Sequence, residues 1–554
     1  MRRPALFLLM LTLLTCVPGI WWGLPVAVKE DVLAPWELDS VAPLLPLTEA
    51  YYKFTRTGND WVRYPLFHYM VLSAAYAPYI GTQYLLGNLH PTTTYPYGMA
   101  DVVAMCRHLT LICRVVSLAM ALATIWLAWK TAYAMFDNER VAIWAGVLIA
   151  ILAPFTFYAK MSNFDVPYMF WAFAALYAYV RLLQTQQLKY YVILGVTTAL
   201  TIGTKDQAYG FFVLPPLAIV YGLARHRAGG RPTARDLGAA LVSREILSGV
   251  AAFAIAFTIA NNLLFAWDGF VRHVRVGAEG GGDQPWRMYP TTPWGEMMLA
   301  GWLTRLTFEM LGAGSMVLIL LGIIWTLRRG QMIALSVVLF PVSYLIFFLG
   351  IVGFSYPRFM MAPVMIFLLF AAAAIDRLLQ VRGTWRIPTA ALVVVSLGWQ
   401  ALLTADLNYG LIMDSRNAAE AWFQQHAPRG ATIESPIVRE NLLPHLSGDY
   451  KVTLHGAGEV TPDASALTGE ALRARGSDYI LLVSLGMSAD HDTWTDPTLV
   501  AYRDALLSGR FGYRVVATFD TPHLTPYRML TGTIPQVTIL ARDGLHAPQP
   551  GSQP

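Results

Sequence analysis

Long uncharged apolar runs constrain this chain more than any other feature. They lie at 115–136 (interrupted only by Lys130), 141–159, 166–180, 190–204, 207–224, 246–267, 310–327, 331–357, 359–375 and 387–405. An earlier run extends from Pro4 to Val28, behind Arg2 and Arg3. About 20 apolar residues in a helix cross the roughly 30 Å hydrocarbon layer of a bilayer, and flanking residues snorkel to complete the shorter runs. The composition agrees. Hydrophobic residues make up 56% and charged residues 14%, where globular proteins carry about 25% charged residues. Mean hydropathy is +0.46. A soluble fold of 554 residues could not cover its surface with so little charge, so the chain reads as a polytopic α-helical membrane protein of about eleven spans.

The net charge of +5 records membrane topology here and does not call for nucleic acid. Cys106 and Cys113 are about 10 Å apart if they share a helix, too far for a disulfide, and with Cys16 they make no metal pattern. The run behind Arg2 and Arg3 lacks a small-residue cleavage site and reads as a retained first span. The segment Leu66–Gly87 is uncharged but holds His68, Pro78 and several tyrosines. If it lies on the outer surface instead of crossing, the short loops carrying Arg140, Arg181, Lys189, Arg225–Arg244, Arg328, Arg329 and Arg377–Arg386 all fall on the cytoplasmic side. This places the N-terminus in the cytoplasm. The expected division is a transmembrane domain over 1–407, with a long first outer loop at about 29–110, and an extracytoplasmic α/β domain over 408–554. Short runs of β-branched and aromatic residues predict strands at 431–434, 451–454, 479–483, 513–519 and 537–541. Short loops and the lack of an N-x-S/T sequon point to a bacterial inner membrane.

The same topology gathers ionisable residues at the outer ends of several spans. Glu37 and Asp39 lie in the first outer loop, near Tyr64. Lys160 and Asp165 follow in the second, Lys205 and Asp206 in the third, Arg272 and His273 in the fourth, and Tyr356 and Arg358 in the fifth. Each has a plain structural explanation. Asp165 could cap the helix it opens. Lys205 and Asp206 could pair with each other. Arg358 could snorkel, and His273 could be an ordinary loop residue. The glycines at 280–282 predict a movable loop over 268–296. Taken together, the charges suit one reaction, displacement of a lipid-linked phosphate from a sugar. Lys or Arg would stabilise the leaving phosphate, and a carboxylate would take the acceptor's proton. Nucleotide sugars are cytosolic, so an outer-face site calls for a polyprenyl-phosphate donor.

At these residues the chain resembles the GT-C superfamily of membrane glycosyltransferases, in particular the protein O-mannosyltransferase and lipid A aminoarabinose transferase branch. The features carrying the resemblance are an acidic motif in the first outer loop (Trp36-Glu37-Leu38-Asp39) and Tyr64-Pro65-Leu66. Asp165, Gly203-Thr204-Lys205, Tyr356-Pro357-Arg358-Phe359 and the turn Ala427-Pro428-Arg429-Gly430-Ala431 follow in the same order. The resemblance implies an inverting transfer to a protein, lipid or glycan acceptor, with membrane lipids as surroundings. It makes Asp39 the catalytic base, with Glu37 in reserve because the usual Asp-Glu pair is replaced. It gives donor binding to Asp165, Lys205, Tyr356 and Arg358, with Tyr64, Arg272 and His273 nearby. No cofactor and no metal ligands are assigned, and a divalent metal stays open. Two other classes compete. A secondary transporter is disfavoured by the lack of internal hydropathy symmetry and of mid-span charge. The other is a non-catalytic receptor or scaffold, which activity of the first-loop acids would separate from an enzyme.

Overall fold

The computed structural model describes residues 2–29, 32–37, 40–55, 64–92, 94–282, 288–436, 442–446, 448–455, 464–484, 497–525 and 534–545. Among them, seven helices are long and apolar enough to cross a membrane: Val102–Phe136, Asp165–Thr185, Asp206–Ala228, Pro293–Arg328, Met332–Val352, Pro357–Leu378 and Gly383–His426. The bent pair Ala234–Leu241 and Arg244–Ala260 makes an eighth, and Pro4–Cys16 and Leu188–Thr204 are shorter apolar helices. These features make the chain an integral membrane protein.

Several apolar runs are broken where the sequence reading had them continuous. The first helix covers Arg2–Cys16 only, and Val26–Lys29 (β1) pairs antiparallel with Val32–Ala34 (β2). Pro18 follows the helix, and Gly23 adopts φ +54, where a Cβ would lie 2.4 Å from Trp36 Cβ. The ammonium of Lys160 donates to the carbonyls of Thr15 (3.1 Å) and Pro18 (2.8 Å), so this buried lysine serves the end of the first helix. The run 141–159 divides into Glu139–Ala150 and Ala153–Tyr158, with Pro154 near the start of the second piece. The segment expected as a movable loop after residue 268 is helical over Trp267–Gly282.

Contacts between Cα atoms divide the chain into two compact units. One contains Met1–Pro18, Leu44–Tyr79 and Ile112–Thr404; the other contains Gly19–Pro43, Ile80–Leu111 and Ala405–Pro554. Within the first, Leu188–Thr204 and Arg244–Ala260 approach closely. A Cβ on Gly195 would meet the Gly249 carbonyl oxygen at 2.2 Å, so a larger residue would push the helices apart.

The second unit is organised around a five-stranded sheet. Its strands are β3 (Thr432–Ser435), β4 (Lys451–Leu454), β5 (Tyr479–Val483), β6 (Tyr513–Phe519) and β7 (Val537–Arg542), in the order β4-β3-β5-β7-β6. β3 is parallel to β4 and β5, whereas β7 is antiparallel to β5 and β6. Every residue of β5 is buried. Tyr479, Leu481 and Val483 pack with Ala419 and Phe423 on one face, and Ile480 and Leu482 pack with Leu472, Tyr502 and Leu506 on the other. The period-two alternation sends successive side chains into two cores, which explains a strand apolar throughout.

Buried Glu434 in β3 receives a bidentate pair of bonds from Arg475 (2.9 and 3.0 Å) and one from Ser477 (2.7 Å). Burial opposes its ionisation, but His455, Arg475 and Ser477 prevail and bring its pKa down to about 2. A depressed carboxylate pKa adds stability that is complete above the ordinary value near 4.5 and is lost as pH falls toward about 2. The effect is up to about 3 kcal/mol. Glu434→Gln should therefore lower the unfolding temperature at pH 7 and flatten its decline below pH 4.5. An unchanged acid limb in thermal melts would remove Glu434 as its source.

Candidate active site

The first unit brings together the ends of several helices. Asp165 opens the Asp165–Thr185 helix and is fully buried. Its carboxylate does not serve mainly as a cap, because Oδ1 accepts a bond from the Lys205 ammonium at 2.5 Å. Lys205 is placed by the end of the preceding helix. Leu188–Thr204 stops at Thr204, and Lys205 turns extended (φ −154, ψ 119). Adjacent Asp206 does not pair with Lys205; it meets the His273 Nε2 at 2.8 Å. Neighbouring residues on one turn thus serve different partners, and the local Lys205–Asp206 pair expected as the plain explanation is absent.

Arg358 enters from another helix. Tyr356 is the extended N-cap of Pro357–Leu378, and Pro357 fills its first turn, where a missing N–H costs nothing. The Arg358 guanidinium lies over the Tyr356 ring (5.5 Å) and the Phe359 ring (5.1 Å). The Lys205 ammonium lies 5.7 Å from the same Phe359 ring and 5.6 Å from the Tyr168 ring. Two cations therefore share one aromatic residue beside a buried carboxylate. A cation at a helix N-terminus opposes the helix dipole, so Arg358 favours an anion at that place.

Three polar residues of this cluster were not singled out in the sequence. The Tyr168 hydroxyl faces Asp165, Gln207, Tyr344 and Arg358. Gln207 and Tyr344 approach it without meeting hydrogen-bond geometry. Among the described residues, Asp165 Oδ2, Gln207 Nε2 and the hydroxyls of Tyr168 and Tyr344 are buried and form no hydrogen bond. These four buried polar atoms gather in one cluster beside Asp165. The tyrosines lie inside apolar runs and read there as ordinary packing residues; only the fold reveals their common focus.

The remaining candidates occupy different places. Tyr64 packs against Phe164, the N-cap before Asp165, at 4.7 Å, and buried His68 meets the same ring edge-on. Arg272 is exposed on Trp267–Gly282, the helix that supplies His273. Glu37 belongs to the second unit and is buried, with 3% exposure. Its neighbour Trp36 stacks on His445 at 4.7 Å, lies 4.3 Å from the Arg416 guanidinium and donates to the Leu443 carbonyl. Asp39 lies outside the described residues. Among the described residues, no group of three or more His, Cys, Asp or Glu converges on a metal position.

Residues 94–251 match the family model described as dolichyl-phosphate-mannose-protein mannosyltransferase. The chain is similar to the GT-C glycosyltransferases. The matched segment includes Asp165, Tyr168, Lys205 and Gln207 of the cluster. Solved structures of low sequence identity also align with it. The Archaeoglobus fulgidus oligosaccharyltransferase complex with Zn and sulfate is 13% identical, with 86% of this chain and 67% of that chain covered and a TM-score of 0.47. ArnT from Cupriavidus metallidurans bound to undecaprenyl phosphate is 13% identical, with 96% and 97% covered and a TM-score of 0.42. The mycobacterial arabinofuranosyltransferase AftD is 15% identical, with 98% and 39% covered and a TM-score of 0.43. No curated protein matches the chain in sequence.

Proposed function

We propose that the protein transfers a sugar from a polyprenyl-phosphate donor to a protein, lipid or glycan acceptor on the outer face of the membrane, with inversion at the anomeric carbon. The observation that carries this reading is the buried Asp165 carboxylate held by Lys205, with the Lys205 ammonium and the Arg358 guanidinium both over the Phe359 ring. A lysine ammonium and an arginine guanidinium gathered beside one buried carboxylate suit a phosphate in a site of low dielectric. Resemblance to a family whose name specifies a dolichyl-phosphate-mannose donor and a protein acceptor supports the same class of chemistry.

In the proposed reaction an acceptor oxygen or amine bonds to the anomeric carbon while the bond from that carbon to the phosphate oxygen breaks. Electrons of the broken bond leave on the lipid phosphate, which Lys205 and Arg358 stabilise. Asp39 takes the acceptor proton, with Glu37 as the alternative base. Asp165 positions Lys205, and Tyr64, Tyr356, Arg272 and His273 line the approach of the donor.

The direct test is transfer of radiolabelled sugar from defined polyprenyl-phosphate donors by the purified protein in nanodiscs. Donor-dependent transfer that disappears with the Asp39 and Glu37 variants supports an enzyme. Donor movement across the bilayer without transfer would support a transporter instead.

The accompanying topology has the 225–244 loop in the cytoplasm and residues 408–554 outside, with 1–407 as the membrane domain. Three native cysteines are buried, leaving a quiet background for labelling. An impermeant thiol reagent should label Ser447→Cys, a position outside the described residues, from outside, and Ala228→Cys only after permeabilisation. Labelling of both from the same side would overturn this topology.

A further inference from the structure

A second charged site lies far from Arg358 on the same helix. Asp376 and Arg377 are near the C-terminal end of Pro357–Leu378, about 27 Å along the helix from Arg358. That separation approaches the thickness of a bilayer's hydrocarbon layer. A cavity of about 160 Å³ opens there among Asn138, Arg140, Trp325, Arg329, Asp376 and Arg377.

Charge in this cavity is unbalanced. Asp376 is buried, with Oδ1 3.0 Å from Arg140 Nε and Oδ2 receiving bonds from Asn138 (3.0 Å) and Gln380 (2.8 Å). Its oxygens are already engaged. Arg377 lies over Trp325 at 5.7 Å. Among the described residues, neither Arg329 nor Arg377 has an anionic partner, while Arg140 pairs with Asp376 through Nε. Three guanidiniums therefore line the cavity against one carboxylate. Each offers planar donors suited to phosphate oxygens.

We infer that this cavity binds the phosphate group of an anionic phospholipid, with Arg329 and Arg377 as its principal ligands. The position explains the source of the phosphate. Pro293–Arg328 and Pro357–Leu378 are both long apolar helices, and the cavity lies at their C-terminal ends, where a lipid headgroup is at hand. Trp325 supplies an amphipathic wall at that level. Arg329 and Arg377 also oppose the negative ends of the helices, but that role alone requires no shared cavity.

The full-length protein, delipidated in detergent and titrated with phosphatidylglycerol or phosphatidylcholine, tests the inference by native mass spectrometry. The wild type should prefer one phosphatidylglycerol by at least about 10-fold. Arg329→Gln/Arg377→Gln should abolish the preference, while Arg328→Gln, a nearby residue that does not line the cavity, should retain it. Thermal melts without lipid identify any variant that has lost its fold. If the double variant is misfolded, Arg377→Lys replaces it and should weaken the preference while keeping the charge. Equal loss in Arg328→Gln would assign the effect to general surface charge and overturn the site. So would equal lipid preference in wild type and variant. Inorganic phosphate provides the second arm: weak binding lost in the double variant supports the phosphate site, and displacement of phosphatidylglycerol only at high phosphate concentration supports its lipid source. Tight phosphate binding with no lipid preference would overturn that source.

Discussion

Asp39→Asn should lower turnover by about 10²–10⁴-fold while expression and membrane insertion persist. As the new glycosidic bond forms, the acceptor must lose a proton, and a carboxylate near the reacting atoms can take it. Asn preserves the shape but is a poor base. Glu37→Gln should cost less activity, because Glu37 is buried beside Trp36, whose ring is held by His445 and Arg416. Its replacement should appear mainly as lower thermal stability. Measurement of sugar transfer from the lipid donor separates the alternatives. A dead Glu37→Gln protein beside an active Asp39→Asn protein would move the base to Glu37. Full activity in both variants would defeat the glycosyltransferase reading.

The second large effect is expected at Asp165, Lys205 and Arg358. Lys205→Met leaves the Asp165 carboxylate buried without its cation, and Asp165→Asn removes the carboxylate that the buried Lys205 ammonium meets. Each single change should destabilise the protein by about 3–5 kcal/mol, and the double change should recover much of this. Recovery of stability without recovery of transfer would identify Lys205 as a phosphate ligand. Transfer returning with stability would reduce the pair to a packing device. Arg358→Ala keeps that pair intact and should reduce kcat/KM for the donor by about 10²–10³-fold. Unaltered donor kinetics would make Arg358 a membrane anchor. Together these variants separate an electrostatic role from a folding role through independent readouts.

The sequence by itself determined the membrane class, because apolar runs such as 359–375 cannot be solvated, whatever their neighbours. It also made the GT-C resemblance legible through the order of Asp165, Gly203-Thr204-Lys205 and Tyr356-Pro357-Arg358-Phe359. The sheet strands were visible because β-branched and aromatic runs such as Tyr479–Val483 pack on two faces. Helix breaks were less visible. The Pro4–Val28 run is uncharged throughout, but the helix stops at Cys16, ahead of Pro18 and the left-handed backbone at Gly19, well before the run's last residue. Only the tertiary structure decided the ion pairs. Lys205 is beside Asp206 in sequence, yet an extended residue at the helix end turns its ammonium to Asp165, while Asp206 meets His273. Likewise, Tyr168 and Tyr344 have no periodicity that distinguishes them from packing residues; their unmet hydroxyls become informative once separate helices bury them around the same carboxylate. Apolar patterning is written locally because each residue's transfer from water is its own property. The pairing of buried charges depends on distances between segments far apart in the chain, which folding alone sets.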